Sequence, residues 1–115
     1  MLEIIFNSAT VKNPRNFDGR TPFHHASQFG HFKIVEMIAL KSIEYNLDLN
    51  SKDDDGMTAF HLACINGDLK TTQMIMEKSD ELGIDLNAKD DDGLTGFHWA
   101  CELGHSETTN MILLS

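Results

Sequence analysis

Two His-x-x-Cys pairs, His61 with Cys64 and His98 with Cys101, carry the most obvious chemistry in this chain, because two imidazoles and two thiolates form a ligand set for tetrahedral zinc. The same spacing puts each thiol one helical turn from an imidazole, as a cysteine nucleophile would need. Asp53, Asp54 and Asp55, and then Asp90, Asp91 and Asp92, each run into a glycine and could offer oxygen ligands to calcium. The calcium pattern fails on register: with Gly56 or Gly93 as the loop glycine, Leu62 or Trp99 falls where the bidentate glutamate must stand. Neither a Gly-x-Ser-x-Gly elbow nor a glycine-rich phosphate loop occurs, so hydrolase and nucleotide chemistry lack their usual carriers.

All of these residues belong to one block used three times. DGRTPFHHASQFGH begins at Asp18, DGMTAFHLACINGD at Asp55 and DGLTGFHWACELGH at Asp92. The step is 37 residues at His24, His61 and His98, at Phe23, Phe60 and Phe97, and at Gly30, Gly67 and Gly104. Self-similarity at such a period marks stacked supersecondary units rather than one closed fold.

Each block reads as two helices. Thr21, Thr58 and Thr95 precede apolar segments, where a hydroxyl can accept an orphan amide hydrogen of the first turn. Pro22 takes the first helical position, at which its missing N–H costs nothing. Ala59 and Gly96 stand there later, and Gly96 is expected to weaken its helix by up to about 1 kcal/mol relative to alanine. The pattern predicts first helices over 22–29, 59–66 and 96–103, stopped by left-handed Gly30, Gly67 and Gly104. Second helices are marked by Ile34, Val35, Met37 and Ile38, by Leu69, Met74, Ile75 and Met76, and by Met111, Ile112, Leu113 and Leu114. Their spacing predicts a buried stripe, which makes them core rather than a cofactor pocket.

The blocks resemble the ankyrin repeat, in Gly19, Thr21, Pro22, His24, Ala26, Gly30, His31, Ile34, Val35 and the tail Asp48, Leu49 and Asn50 of the first copy. The resemblance covers nearly the whole chain. It implies an all-α solenoid of helix-turn-helix units with β-hairpin or loop fingers, in one domain: a partial repeat over 1–15, repeats over 16–52 and 53–89, and a truncated repeat over 90–115. Leu2-Glu3-Ile4-Ile5 aligns with Val35-Glu36-Met37-Ile38, so the chain is expected to open inside one repeat and stop inside another. Thr21, His24, Gly30, Thr58, His61, Gly67, Thr95, His98 and Gly104 then become structural, since the motif histidine resembles one that bonds to backbone and to the capping threonine. That role, with neighbouring helices roughly 10 Å apart, displaces the zinc and nucleophile readings; no metal, cofactor or catalytic residue is expected. His31 and His105 are expected to satisfy backbone in the Gly-His turn, His25 to face the groove, and Trp99 to pack between repeats.

The interval departs from the family period of about 33 residues. The additional residues lie within ALKSIEYNLDLN and MEKSDELGIDLN and amount to about one turn at roughly 3.6 residues per turn. Longer second helices, or a bulged loop, are expected, with Ile43 or Leu82 kept on nearly the same face. The leading partial unit keeps the ordinary step, from Glu3 to Glu36.

Between repeats, NSKDDDG and NAKDDDG have the composition of chain reversals, and in ankyrin proteins this stretch forms the protruding finger. Stacking is expected to align the two aspartate runs in an acidic ridge. Residues 1–52 carry six Lys/Arg against five Asp/Glu, whereas residues 53–115 carry three against thirteen, within a net charge of −9. Such a surface repels phosphate, so direct nucleic-acid binding is not expected, but it would steer a basic partner. The resemblance assigns partner contacts to the finger, the residue after its glycine and the exposed first-helix positions. These are Phe17, Asp18, Arg20, Gln28 and Phe29; Asp54, Asp55, Met57, Ile65 and Asn66; and Asp91, Asp92, Leu94, Glu102 and Leu103. Among them Phe29, Met57, Ile65, Leu94 and Leu103 would form an apolar strip suited to a basic amphipathic segment.

The expected function is a non-catalytic protein-interaction module. The competing reading is an architectural stretch of a longer scaffold, channel or enzyme. No apolar run approaches the roughly 18 residues needed to cross a bilayer, and MLEIIFNSAT lacks a basic leader, so an intracellular, non-membrane protein of cytoplasm or nucleus is expected. Cys64 and Cys101 share one repeat position, which favours small buried thiols over a disulfide. Leu113 and Leu114 at an uncapped end favour self-association. Asn50 and Asn87 sit where ankyrin asparagines can be hydroxylated, but Ser42 and Ser79 stand where the preceding leucine is wanted; turn capping is the expected role.

Overall fold

The computed structural model describes residues 13–115. Their six helices alternate short and long: α1 (Pro22–Gln28), α2 (Phe32–Lys41), α3 (Ala59–Asn66), α4 (Leu69–Leu82), α5 (Gly96–Glu102) and α6 (Ser106–Leu114). First helices stack on first helices and second on second, α1 on α3 on α5 and α2 on α4 on α6, giving an elongated body of 42 × 26 × 22 Å. The helical segment expected at Leu2 to Ile5 lies outside the described residues.

Each first helix starts from a capping box in which histidine does the work usually done by glutamate. The Thr21, Thr58 and Thr95 hydroxyls accept the backbone N–H of His24, His61 and His98, and each threonine N–H donates to Nδ1 of that same histidine. The expected helix ends fall within a residue of the observed ones, and Gly30, Gly67 and Gly104 take φ of 70°, 77° and 74°.

The core runs along the stack through Phe23, Val35, Phe60, Cys64, Ile75 and Ala100. Of the second-helix positions read as core, Val35 and Ile75 are buried and Ile38, Met74, Met76 and Ile112 pack against the core. Ile34, Met37, Leu113 and Leu114 are 47%, 46%, 65% and 78% exposed, which corrects the expectation for them. A second helix buries only the stripe facing its neighbours, and a continuous apolar run overfills that stripe.

The lengthened period appears where expected, with a different form in each repeat. Helix α4 simply runs on for 14 residues. After α2 the chain continues through turns, yet both segments end on a left-handed residue at the same repeat position, Asn46 (φ 53°) and Gly83 (φ 68°). Both then close with the same bond, Leu47 N–H to Ser42 O at 2.8 Å and Ile84 N–H to Ser79 O at 2.9 Å, the reach-back of a Schellman-type stop. Tyr45, not Ile43, shares the repeat position of Leu82, and Ile43 is 74% exposed.

Candidate protein-binding surface

Each finger is a tight turn folded by its first polar residue; among the described residues no strand forms, so the fingers are loops rather than hairpins. Asp53 Oδ1 accepts the N–H groups of Asp55 and Met57 at 2.9 and 2.8 Å, and Asp90 Oδ1 those of Asp92 and Leu94 at 3.0 and 2.9 Å. Asn16 does the same for Asp18 and Arg20 in the first repeat. Asp53 and Asp90 are therefore 8% and 7% exposed and do not belong to a solvent ridge. The acidic surface narrows to Asp54, Asp55, Asp91 and Asp92, all exposed.

Main-chain bonds set the register between fingers. Asp54 N–H donates to Asp18 O at 3.0 Å and Asp91 N–H to Asp55 O at 3.1 Å. Arg15 reaches Lys52 O, and Lys52 Nζ reaches Lys89 O, both at 2.9 Å. The Asp54 and Asp91 side chains lie against Gly19 and Gly56 of the preceding finger, where a Cβ would collide with them.

The second oxygen of each buried carboxylate finds a different donor. Asp53 Oδ2 pairs with Arg20 Nε at 3.0 Å, the two side chains being 17% and 1% exposed. Arg20, assigned to partner contact, is thus engaged within the stack. Its counterpart Met57 offers no donor, and Asp90 Oδ2 instead accepts from Trp99 Nε1 at 2.8 Å. Trp99, expected between repeats, is half-buried on its own finger. Burial pushes the Asp90 carboxyl up, but the N–H groups of Leu94, Trp99 and Asp92 outweigh it and hold the group below the ordinary value.

The histidines join one repeat to the next. His24 Nε2 donates to Met57 O at 2.9 Å and His61 Nε2 to Leu94 O at 2.8 Å, with Nδ1 receiving the threonine N–H. Both ring nitrogens of His61 are therefore committed, and burial pushes the Cys64 thiol up to about 12, so this pair is poorly set to supply a ligand thiolate or a nucleophile. Cys101, expected buried, is exposed. His105 Nε2 bonds to Ile65 O at 2.9 Å in the preceding repeat, and the His25 ring lies tilted at 58° against Phe29, with centroids 4.8 Å apart.

The apolar contact positions do not form one continuous strip. Phe17, Phe29 and Leu103 are 105%, 53% and 46% exposed, while Met57, Ile65 and Leu94 are half-buried. Asn66, at the repeat position of Phe29 and Leu103, stands between them and donates its amide to Gln28 O. Sequence reasoning missed the second use of Asn50, whose amide spans Gly83 O at 2.9 Å and Asp85 N–H at 2.8 Å. It also missed why Gly96 is glycine: a Cβ there would stand 2.9 Å from Cys64 Sγ and from the Phe60 ring.

A family model described as ankyrin repeats (3 copies) matches residues 39–115, and a single ankyrin-repeat model matches residues 18–54. A search of curated proteins gave no match. Ankyrin repeats generally bind other proteins and are typically non-catalytic, and among the described residues no helix is long and apolar enough to cross a membrane. The capped helix pairs, the carbonyl-to-histidine joints and the extent of the matches agree, and the chain belongs to the ankyrin-repeat family.

Proposed function

We propose that this chain is a non-catalytic interaction module that takes a basic, partly apolar segment of another protein across its fingers and first helices. The supporting observation is the set of four exposed carboxylates, Asp54, Asp55, Asp91 and Asp92, held in register by backbone bonds between fingers. Opposite charge at such a ridge speeds encounter and fixes register more than it tightens the complex. Phe17, Phe29, Met57, Ile65, Leu94 and Leu103 supply the apolar component; Arg20 contributes its aliphatic stem while its head stays on Asp53. The repeat boundaries are 16–52, 53–89 and 90–115, after a partial unit over 1–15, and the setting is intracellular, with no direct nucleic-acid or membrane contact. Affinity capture from cell extract, comparing the chain with a variant carrying D54N, D55N, D91N and D92N at low and moderate salt, tests this reading. A basic partner retained by the chain, released by salt and lost in the variant supports it; identical recoveries from both proteins overturn the finger assignment.

The outer face of the third repeat favours a second, architectural role. His98 is exposed, whereas its equivalents His24 and His61 are 2% and 0% exposed, and Leu103, Leu113 and Leu114 lie open. This face would pack within a longer assembly or against another copy; light scattering that shows only monomers at high concentration would remove the self-association reading.

A further inference from the structure

The chain has one Asn-Gly step, Asn66-Gly67, and it lies in the turn where three repeats meet. On one side the Asn66 amide Nδ2 donates to Gln28 O of the first repeat. On the other, Ile65 O accepts from His105 Nε2 of the third repeat at 2.9 Å, and a Cβ built on Gly67 would stand 2.7 Å from the His105 ring. Asn66 ends α3 and is exposed. Gly67 follows it in the left-handed region, φ 77°, with its N–H donated to Ala63 O at 3.0 Å.

This dipeptide carries a reaction of its own. The side-chain amide carbon of asparagine is one five-membered ring away from the next main-chain nitrogen, and glycine has no Cβ to obstruct the approach or restrict the dihedral angles it needs. The intact turn opposes ring closure, because the Asn66 amide is held on Gln28 O while the Gly67 N–H is held on Ala63 O. Both bonds sit at a helix end, where local opening costs least.

We propose that Asn66 is a self-modification site, converting to aspartate and isoaspartate at a rate set by the opening of this turn. Solvent hydroxide takes the proton from Gly67 N, the nitrogen bonds to Asn66 Cγ, and Nδ2 takes a proton from water and leaves as ammonia. Water then opens the resulting succinimide. Attack at Cγ leaves aspartate; attack at the main-chain carbonyl carbon leaves isoaspartate, whose chain runs through Cγ and is one methylene longer.

Neither product restores what the amide did. A carboxylate has no hydrogen to donate and would face Gln28 O acceptor to acceptor, at a helix C-terminus that already disfavours negative charge. Isoaspartate also lengthens the main chain between Ile65 and Gly67, the two residues on which His105 rests. One event therefore loosens both joints of the central repeat, and it adds a negative charge at the repeat position of Phe29 and Leu103. The reaction is independent of what the chain binds.

Peptide mapping by mass spectrometry tests the proposal. The full chain is held in mildly alkaline buffer, either folded or in guanidinium chloride, then digested with trypsin and followed at the peptide 53–70, with isoaspartate separated by chromatography. The expected result is conversion at Asn66 that outpaces Asn46, Asn50 and Asn87 in the unfolded sample and runs at least about tenfold slower in the folded one. Thermal melts read the consequence: Asn66→Asp should melt below Asn66→Ala, although both lack the amide. Conversion at Asn66 no faster than at the other asparagines, equal rates in the folded and unfolded chain, or equal stability of N66D and N66A would each overturn it.

Discussion

At Gly96 helix propensity and packing point in opposite directions. Propensity alone makes Gly96→Ala stabilising, but a Cβ there meets Cys64 Sγ and the Phe60 ring at 2.9 Å. Overpacking of this kind costs about 1–3 kcal/mol, so urea denaturation should show G96A less stable than the parent. The repeat register sets Ala59 opposite Ser27 in the earlier joint; G96A combined with Cys64→Ala removes the Sγ contact but not the Phe60 contact, and should fall short of the additive loss of the two single variants. Trp99→Phe makes a second test, since it deletes the indole donor to Asp90 and should cost about 1 kcal/mol. The folded Asp90 carboxyl lies below its ordinary value, so its stabilisation is present above the unfolded carboxyl range and is lost as pH falls through the folded value. The gap between W99F and parent should accordingly close in acid, and an NMR titration should find the Asp90 carboxyl moved upward in W99F. Neither relationship was legible beforehand. The Thr and His of each cap announce themselves through local spacing, whereas Gly96 answers to a side chain 32 positions earlier and Trp99 to the missing donor at Met57.

At the level of the element, the sequence resolved what local rules govern. Threonine caps, glycine stops and apolar periodicity placed the first helices within a residue of their ends, and the surplus of the period was traced to the tail of the second helix. The form of that tail was not legible, because Ser42, Ile43 and Tyr45 in one copy and Ser79, Asp80 and Leu82 in the other differ too little in propensity to choose between turn and helix. What the copies share is the left-handed stop at Asn46 and Gly83. No atom lies within 4 Å of a Cβ built on Gly83, so Gly83→Ala isolates the backbone cost of positive φ, about 1–2 kcal/mol. Gly83→Asn, which imitates the first repeat, should cost less, and the order glycine, asparagine, alanine in thermal melts checks the assignment.

Across the whole molecule, stability resides in the joints between repeats. His24 links the first two repeats through the Met57 carbonyl, and burial holds its imidazole below the ordinary value of 6.5. The unfolded chain then takes up a proton that the folded chain resists, so stability is full above that ordinary value and declines as pH falls below it toward the folded value. Thermal melts taken on either side of neutrality should show this decline, and His24→Gln should reduce the slope. Helix α3 is flanked by α1 and α5 and carries the fully buried His61, so hydrogen exchange should be slower in α3 than in α1. The joints also separate two kinds of information. The carbonyls of Met57 and Leu94 receive the histidines, and a carbonyl is common to every amino acid, so the side chains at 57 and 94 can be exchanged without breaking those bonds. Randomising these two positions should yield a library of folded proteins that differ in what they recognise.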